Sequence, residues 1–225
     1  MDITEYAPGR AVDVFGASGQ PTVLLWHGMQ TDARAAVRPL AELIAGHGPA
    51  VLAPDWDSHA ADGGRGDLLA SAAFGRERAG DADVVLVGWS LGGTAAAGMA
   101  LGRADSELRP VHTVTLGGAF TAPDPLTGRP LTDLVPQRPD GPMLLLHGRV
   151  DDVVPVAVSR DFAAHLTRIG RPVRLAELDT DHAAIAGARY DAAGDRYLPA
   201  EDPDALAVTA LVAAQIAGLL STCSP

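Results

Sequence analysis

The stretch that decides the fold is Val84-Val85-Leu86-Val87-Gly88-Trp89-Ser90-Leu91-Gly92-Gly93. Its four leading apolar residues predict a buried strand, and the small residues that follow predict a closely packed helix. Between the two lies a G-x-S-x-G motif, in which a serine occupies a strained turn. The flanking glycines permit a tight turn and a close approach of the helix. Ser90 is therefore predicted to stand at the carboxyl edge of a sheet.

Short apolar runs alternate with helical stretches along the chain, a pattern typical of α/β proteins with a mostly parallel central sheet. Because several runs are apolar throughout, we expect helices on both faces of the sheet. The predicted strands are Ala11 to Phe15, Thr22 to Trp26, Ala50 to Pro54, Asp83 to Val87, Thr113 to Gly117, Met143 to His147 and Val173 to Leu178. The predicted helices are Asp32 to Ala45, Gly66 to Ala79, Leu91 to Gly102, Val156 to Ile169 and Pro203 to Leu220.

Two segments are predicted to be irregular. Thr121 to Pro142 is rich in Pro, Asp and Gly, and its short length leaves little room for a cap domain. The second segment runs from Ala183 to Asp202. Within it, Arg189 to Tyr197 is hypothesised to fold as a small flap over the edge of the sheet where Ser90 is predicted. Its two Arg-Tyr pairs fit surface packing equally well. Since no repeat or linker is visible, residues 1–225 are expected to form one domain.

Composition excludes several partner classes. The chain has 225 residues and a formal net charge of −11, which disfavours nucleic acid and anionic lipid surfaces. The single cysteine, Cys223, rules out an intramolecular disulfide. The first residues lack a basic stretch followed by an apolar run, and no long apolar segment predicts a membrane span. We expect a cytoplasmic protein without a membrane partner, and the sequence leaves its oligomeric state open.

A serine hydroxyl needs a neighbouring base before it can act as a nucleophile. The chain has seven histidines. His182 follows the last predicted strand of the sheet and precedes the final helix, where the order Ser, then Asp or Glu, then His places the base. The acid is expected after the strand that ends at His147, where Asp151 and Asp152 are adjacent. We favour Asp151 as the residue that orients the base, because Asp152 can instead cap the helix that follows Pro155.

The ordered set of motifs resembles the α/β-hydrolase superfamily, especially its small carboxylesterase and dienelactone-hydrolase-like members. The resemblance rests on three segments. They are His27-Gly28-Met29, the G-x-S-x-G turn around Ser90, which is called the nucleophile elbow, and His147 to Pro155, which fits the H-G-x-x-D-x-x-V-P pattern. It implies an α/β-hydrolase fold with little or no cap, a catalytic Asp151, and an oxyanion hole from the backbone amides of Met29 and Leu91. Dienelactone hydrolases carry a cysteine at the elbow, so Ser90 argues against lactone specificity of that kind.

The resulting hypothesis is a serine hydrolase that cleaves small carboxylic esters through an acyl-enzyme, with no cofactor. A thioesterase or acyltransferase would use the same residues, and a noncatalytic binding protein on this scaffold is a further alternative. A metal hydrolase would have His27, His59 and His147 as candidate ligands, but no paired motif such as H-E-x-x-H is present.

Substrate contacts are predicted from positions near the carboxyl ends of the strands, where ligands of open α/β sheets bind. Trp89 is expected to pack in the core. The residues predicted to line an apolar pocket or flap are Met29, Trp56, Phe120, Tyr190 and Tyr197.

Overall fold

In the computed structural model, residues 1–102, 106–134 and 141–221 are described. Cys223 and residues 135–140 of the first predicted irregular segment lie outside these ranges. Eight strands form the main sheet: β1 (Asp2–Ala7), β2 (Arg10–Phe15), β3 (Thr22–Trp26), β4 (Ala50–Pro54), β5 (Val84–Trp89), β6 (His112–Leu116), β7 (Met143–Gly148) and β8 (Val173–Leu178).

The strand order is β1-β2-β4-β3-β5-β6-β7-β8. The β1–β2 and β2–β4 pairs are antiparallel, and every pair from β4 to β8 is parallel. The seven predicted strands are confirmed, with small shifts at their ends. Strand β1 was not predicted, because it is an edge strand whose first four residues are exposed and carry no apolar run.

Five α-helices cover the sheet: α1 (Arg38–Ala45), α2 (Arg65–Ala79), α3 (Leu91–Leu101), α4 (Val156–Arg168) and α5 (Pro203–Ser221). Alternate strand residues point to opposite faces. Val85 and Val87 pack in the cluster that contains α1 and α5, whereas Leu86 packs with α2 and α3, and α4 extends the packing on that second face. The predicted α/β architecture with helices on both faces is therefore confirmed.

The predicted helix from Asp32 to Ala45 is wrong in its first turns. A 3₁₀ turn spans Arg34–Val37, and the α-helix begins at Arg38. Asp32 has a φ of 50°, and its N–H donates to Trp56 O over 3.2 Å, so the chain there belongs to a loop held against the segment that follows β4. Pro39, in the first turn, needs no amide partner there and favours a helix start at this point.

The segment from Ala183 to Asp202 is also more ordered than predicted. A 3₁₀ turn at Ala184–Ala186 leads into an antiparallel hairpin of β9 (Ala188–Asp191) and β10 (Arg196–Pro199). Its strands are four residues long and mostly half-buried or exposed, so no apolar run announces them in the sequence. The hairpin forms a small separate sheet beside the main one.

Helix α5 is the one helix among the described residues that is long and apolar enough to cross a membrane by length and composition. Val212, Ala213 and Ile216 are nevertheless fully buried in the same cluster as Leu40 and Ile44 of α1. An apolar core helix meets the same length and composition test, so this helix alone is weak support for a membrane span.

Candidate active site at the carboxyl edge of the sheet

Ser90 occupies the strained turn predicted between β5 and α3. Its φ of 54° and ψ of −119° are unusual for a residue with a side chain. The Ser90 N–H donates to Leu116 O over 2.9 Å, and its carbonyl accepts from the amides of Gly93 and Ala119 at 3.0 and 3.1 Å. Backbone contacts to α3 and to the β6 end therefore hold the strained conformation.

The flanking glycines are required by space. A Cβ added to Gly88 would lie 2.1 Å from Gly92 O, and one added to Gly92 would lie 2.2 Å from His27 O. Both distances are far below any real contact of a Cβ atom. The prediction that these glycines permit the close approach of helix and strand is confirmed, and Ser90 itself is half-buried.

His182 and Asp151 form a buried pair. Nδ1 of His182 lies 2.7 Å from Oδ2 of Asp151, and both side chains are almost without exposed surface. Because a carboxylate only accepts, Nδ1 carries the proton and Nε2 remains free to take up another. The imidazole is 5.4 Å, centre to centre, from the indole of Trp89, whose Nε1 donates to His182 O over 2.8 Å. The His182 imidazole is thereby held against the residue that precedes Ser90.

Ser90 is connected to His182 through its chain neighbour Trp89, which packs against the imidazole and donates to His182 O. No hydrogen bond joins Ser90 Oγ to His182 among the residues that the structure describes. Catalytic hydrogen bonds often tighten only when a reactant binds.

Gly117, which has a φ of +52°, lies against the His182–Asp151 pair. A Cβ there would lie 3.0 Å from Asp151 Oδ2 and 3.1 Å from His182 Nδ1. A side chain here would strain the backbone and crowd the pair, so this position favours glycine.

Four groups surround the Asp151 carboxylate. Oδ1 accepts from the amides of Val153 at 3.0 Å and Val154 at 2.7 Å, while Oδ2 faces His182 and lies 3.2 Å from Nε2 of His147. Burial raises the pKa of Asp151, but the contacts with His147, His182 and Val154 outweigh it and hold that pKa well below its usual range. Asp151 is therefore a carboxylate at neutral pH.

The loop after β3 is held by hydrogen bonds to three successive carbonyls. Trp56 Nε1 donates to His27 O at 3.1 Å, the His27 ring binds Gly28 O through Nδ1 at 2.9 Å, and Ser58 Oγ donates to Met29 O at 2.6 Å. In a trans peptide the next N–H points opposite to the carbonyl. Fixing Gly28 O therefore fixes the direction of the Met29 N–H.

This loop lies against Ser90. A Cβ added to Gly28 would be 3.3 Å from Ser90 Cβ. Leu91 is the first residue of α3, where helix N–H groups lack intrahelical acceptors. Within residues 1–102, 106–134 and 141–221, neither the Met29 nor the Leu91 N–H donates to a protein acceptor. Both N–H groups are therefore without a protein acceptor, and Leu91 directly follows Ser90 in the chain.

His27 is a neutral histidine of defined tautomer. Its Nε2 is 3.2 Å from the amide nitrogens of both Ala33 and Trp56, so it can only accept, and the proton resides on Nδ1. Complete burial lowers the pKa of His27 to about 3, despite the bond to Gly28 O, and the charges of Arg10 and Arg34 act in the same direction as burial.

Comparisons with known proteins agree with this arrangement at the level of the fold. No protein-family model matches the sequence, and no curated protein matches it. Structures of an esterase from the planctomycete Thermogutta terrifontis are similar. The propionate-bound form has a TM-score of 0.74 at 16% identity, covering 100% of this chain and 96% of that one. The form phosphorylated by paraoxon has a TM-score of 0.74 at 18% identity, covering 100% and 95%.

This chain has an α/β-hydrolase fold. In it, Ser90, Asp151 and His182 follow β5, β7 and β8, and Met29 follows β3, so all four lie at the carboxyl edge of the parallel strands. That edge is where ligands of open α/β sheets bind.

The predicted pocket residues separate into two groups. Trp56 has no exposed surface and stacks on His27, and Phe120 is nearly buried and stacks on Phe162, so both pack in the scaffold of the α/β-hydrolase fold. Met29 and Tyr190 are more than half exposed. Tyr197 is half-buried and packs edge-on against Trp89, with ring centres 4.8 Å apart. Trp89 itself lies in the core as expected, with 1% exposure.

Sequence reasoning missed Gln30. Its side-chain amide binds the backbone of Tyr197 twice: Oε1 accepts from the Tyr197 N–H at 2.6 Å, and Nε2 donates to Tyr197 O at 3.4 Å. These bonds fasten the hairpin to the loop that carries Met29. No local motif predicts a contact between residues 167 positions apart.

The three candidate metal ligands His27, His59 and His147 have protein partners. Both ring nitrogens of His27 and of His147 are engaged in hydrogen bonds. His59 is exposed, beside Thr31 and Asp57. Among the described residues, no group of three or more His, Cys, Asp or Glu side chains is arranged to hold a metal ion.

Proposed function

We propose that this protein is a serine hydrolase of small carboxylic esters. Ser90 attacks the ester carbonyl while His182 Nε2 takes its proton, and the imidazolium then protonates the leaving alcohol. Water, activated by the same histidine, releases the acid. Asp151 holds the tautomer of His182 and stabilises the imidazolium that forms. The observation that carries the proposal is the buried His182–Asp151 pair, 2.7 Å long, at the strand edge that presents the strained Ser90.

The oxyanion hole in this proposal consists of the Met29 and Leu91 N–H groups. The fixed Gly28 carbonyl and the free helix N-terminus support it, since preorganised donors lose nothing to reorientation during the reaction. One such donor contributes about 2.7 to 4 kcal/mol to lowering the barrier.

Small apolar acyl groups are the proposed substrates. The Thermogutta esterase of similar fold binds propionate and butyrate. Seven large apolar side chains are exposed among the described residues. Three of them, Met29, Val150 and Val153, lie on the loops after β3 and β7, and a fourth, Tyr190, lies on the hairpin. An exposed apolar rim of this kind favours contact with a short acyl or alcohol chain.

The test is an assay of wild type and Ser90→Ala on p-nitrophenyl esters from acetate to palmitate, with fluorophosphonate labelling followed by peptide mass spectrometry. We expect turnover of the short esters, labelling at Ser90, and a loss of several orders of magnitude in kcat/KM for the variant. Labelling without ester turnover would favour acyl transfer. Undiminished activity in Ser90→Ala would overturn the proposal.

A further inference from the structure

His147 is a buried histidine that the proposed mechanism does not use. It has no exposed surface and lies near the end of β7, four residues before Asp151. Nε2 is 2.8 Å from Val154 O, and Nδ1 is 2.7 Å from Ser159 Oγ on α4. A carbonyl can only accept, so Nε2 carries a proton, and in the neutral ring Nδ1 accepts from the serine hydroxyl.

These two bonds satisfy both ring nitrogens of His147, yet the ring also lies against the carboxylate of Asp151. The same Nε2 lies 3.2 Å from Oδ2 of Asp151, the oxygen that faces His182 at 2.7 Å. The N–H is directed at Val154 O, so its contact with the carboxylate is electrostatic. One carboxylate oxygen therefore has a histidine N–H on each side, in a site almost without solvent exposure, where such interactions are strong.

We propose that His147 is a positioning residue of the Ser90 site, acting through the shared Oδ2 of Asp151 to set how strongly that carboxylate holds the imidazole of His182. The inference rests on the proposed function. The partial positive charge of the His147 N–H draws electron density from Oδ2 and weakens its hold on a His182 imidazolium. A weaker hold keeps His182 available as a base at lower pH.

The carboxylate does not depend on His147 for its direction. Oδ1 is fixed by two backbone amides, of Val153 and Val154. Removing the His147 N–H therefore leaves Asp151 aimed at His182 while concentrating charge on Oδ2. Without the His147 N–H, we therefore expect His182 to become available as a base only at higher pH.

Other charged groups near the two histidines are accounted for. Glu177 on β8 pairs in register with His147 but forms a two-bond ion pair with Arg160. The Tyr197 ring lies 6.2 Å from that of His182. Asp152 and Asp181 are the chain neighbours of Asp151 and His182, respectively. All of these groups are unchanged in the variants below, so they give a constant background.

The experiment compares His147→Leu, which removes the N–H, with His147→Gln, which retains an N–H donor at similar reach. His112→Leu serves as a control at the opposite end of the parallel strands. Two quantities are measured: the acid limb of kcat/KM against pH for p-nitrophenyl butyrate, and the far-downfield proton resonance of the His182–Asp151 hydrogen bond. The resonance needs no turnover, so it reports on His147 even if wild type hydrolyses no ester.

We expect the acid limb of His147→Leu to move to higher pH by about half a unit to one unit, with the resonance further downfield. His147→Gln and His112→Leu should match wild type. An unmoved limb and resonance in folded His147→Leu would overturn the proposal, because loss of packing alone moves neither. If that variant does not fold, Ser159→Ala replaces it. Loss of the hydroxyl that polarises His147 should shift both readouts the same way by less, and no shift would contradict the inference.

Discussion

His27-Gly28 and His147-Gly148 are the same dipeptide at the carboxyl ends of two parallel strands, and both histidines are fully buried. Their rings have opposite tautomers. Nε2 of His27 accepts from two amides, whereas Nε2 of His147 donates to a carbonyl. The first ring supports the loop of the proposed oxyanion hole, and the second contacts the proposed acid. Partners distant in the chain thus decide what each dipeptide does.

The two glycines differ in the same way. A Cβ on Gly28 would approach Ser90 Cβ at 3.3 Å, and one on Gly148 would lie 2.1 Å from Thr180 O. Gly28 lets the loop pass the serine, and Gly148 lets the segment before His182 pass the end of β7. Each glycine therefore makes room for one chain segment of the candidate site: Gly28 for the loop after β3, and Gly148 for the segment that precedes His182.

The largest effect on turnover is expected from a change of Asp151, the carboxylate that both His147 and His182 contact. In Asp151→Asn, the amide group presents a donor toward one or both histidines and disfavours the required tautomer of His182. We expect kcat to fall by about 10³ to 10⁴. Asp152→Asn is the matched control and should stay within a few-fold of wild type. Equal losses in both variants would remove the distinction between the adjacent carboxylates.

The pH dependence of stability should report the burial of His27. The pKa of His27 is about 3 in the folded protein, below the ordinary value of about 6.5. Between these values the unfolded state binds the extra proton, so the free energy of unfolding decreases as pH falls from about 6.5 to 3, by about 3 to 5 kcal/mol in total. Urea unfolding of wild type and His27→Gln across this range measures the difference in slope. Parallel curves would contradict the prediction.

His27 should also affect turnover without touching the reacting atoms. In His27→Leu, Gly28 O loses its donor and the Met29 N–H loses its fixed direction. We expect kcat to fall by about 10- to 100-fold with little change in KM, less than the loss of an entire oxyanion donor. His59→Leu, on the exposed side of the same region, is the control. A change confined to KM would place the effect of His27 on substrate binding instead.

The smallest effect is expected at the hairpin. Gln30→Ala removes both half-buried bonds to the Tyr197 backbone. The hairpin beside His182 should therefore loosen, and KM for butyrate esters should rise by about threefold to tenfold, because each such bond contributes about 1 kcal/mol. Gln30→Glu keeps the acceptor for the Tyr197 N–H and should lie between wild type and alanine. Identical kinetics in all three proteins would show that the hairpin takes no part in substrate binding.

Much of the fold could be predicted because the signals are local. The continuous apolar strands β3, β5 and β7 are confirmed, and so is the elbow, whose glycines and serine are consecutive. The edge strand β1 and the hairpin after His182 were missed, since neither contains a continuous apolar run. The start of α1 was wrong, because Asp32 is held by a contact with Trp56 across the chain.

The sequence by itself determined the α/β order of elements, the turn at Ser90 and the chain order of the candidate residues, because apolar runs and glycine spacing act over a few residues. Tertiary structure alone decided the tautomers of His27 and His147, the sharing of Asp151 Oδ2, and the attachment of the hairpin by Gln30. A hydrogen bond depends on where its partner lies in space, and these partners come from separate loops, strands and helices that meet only when the sheet forms.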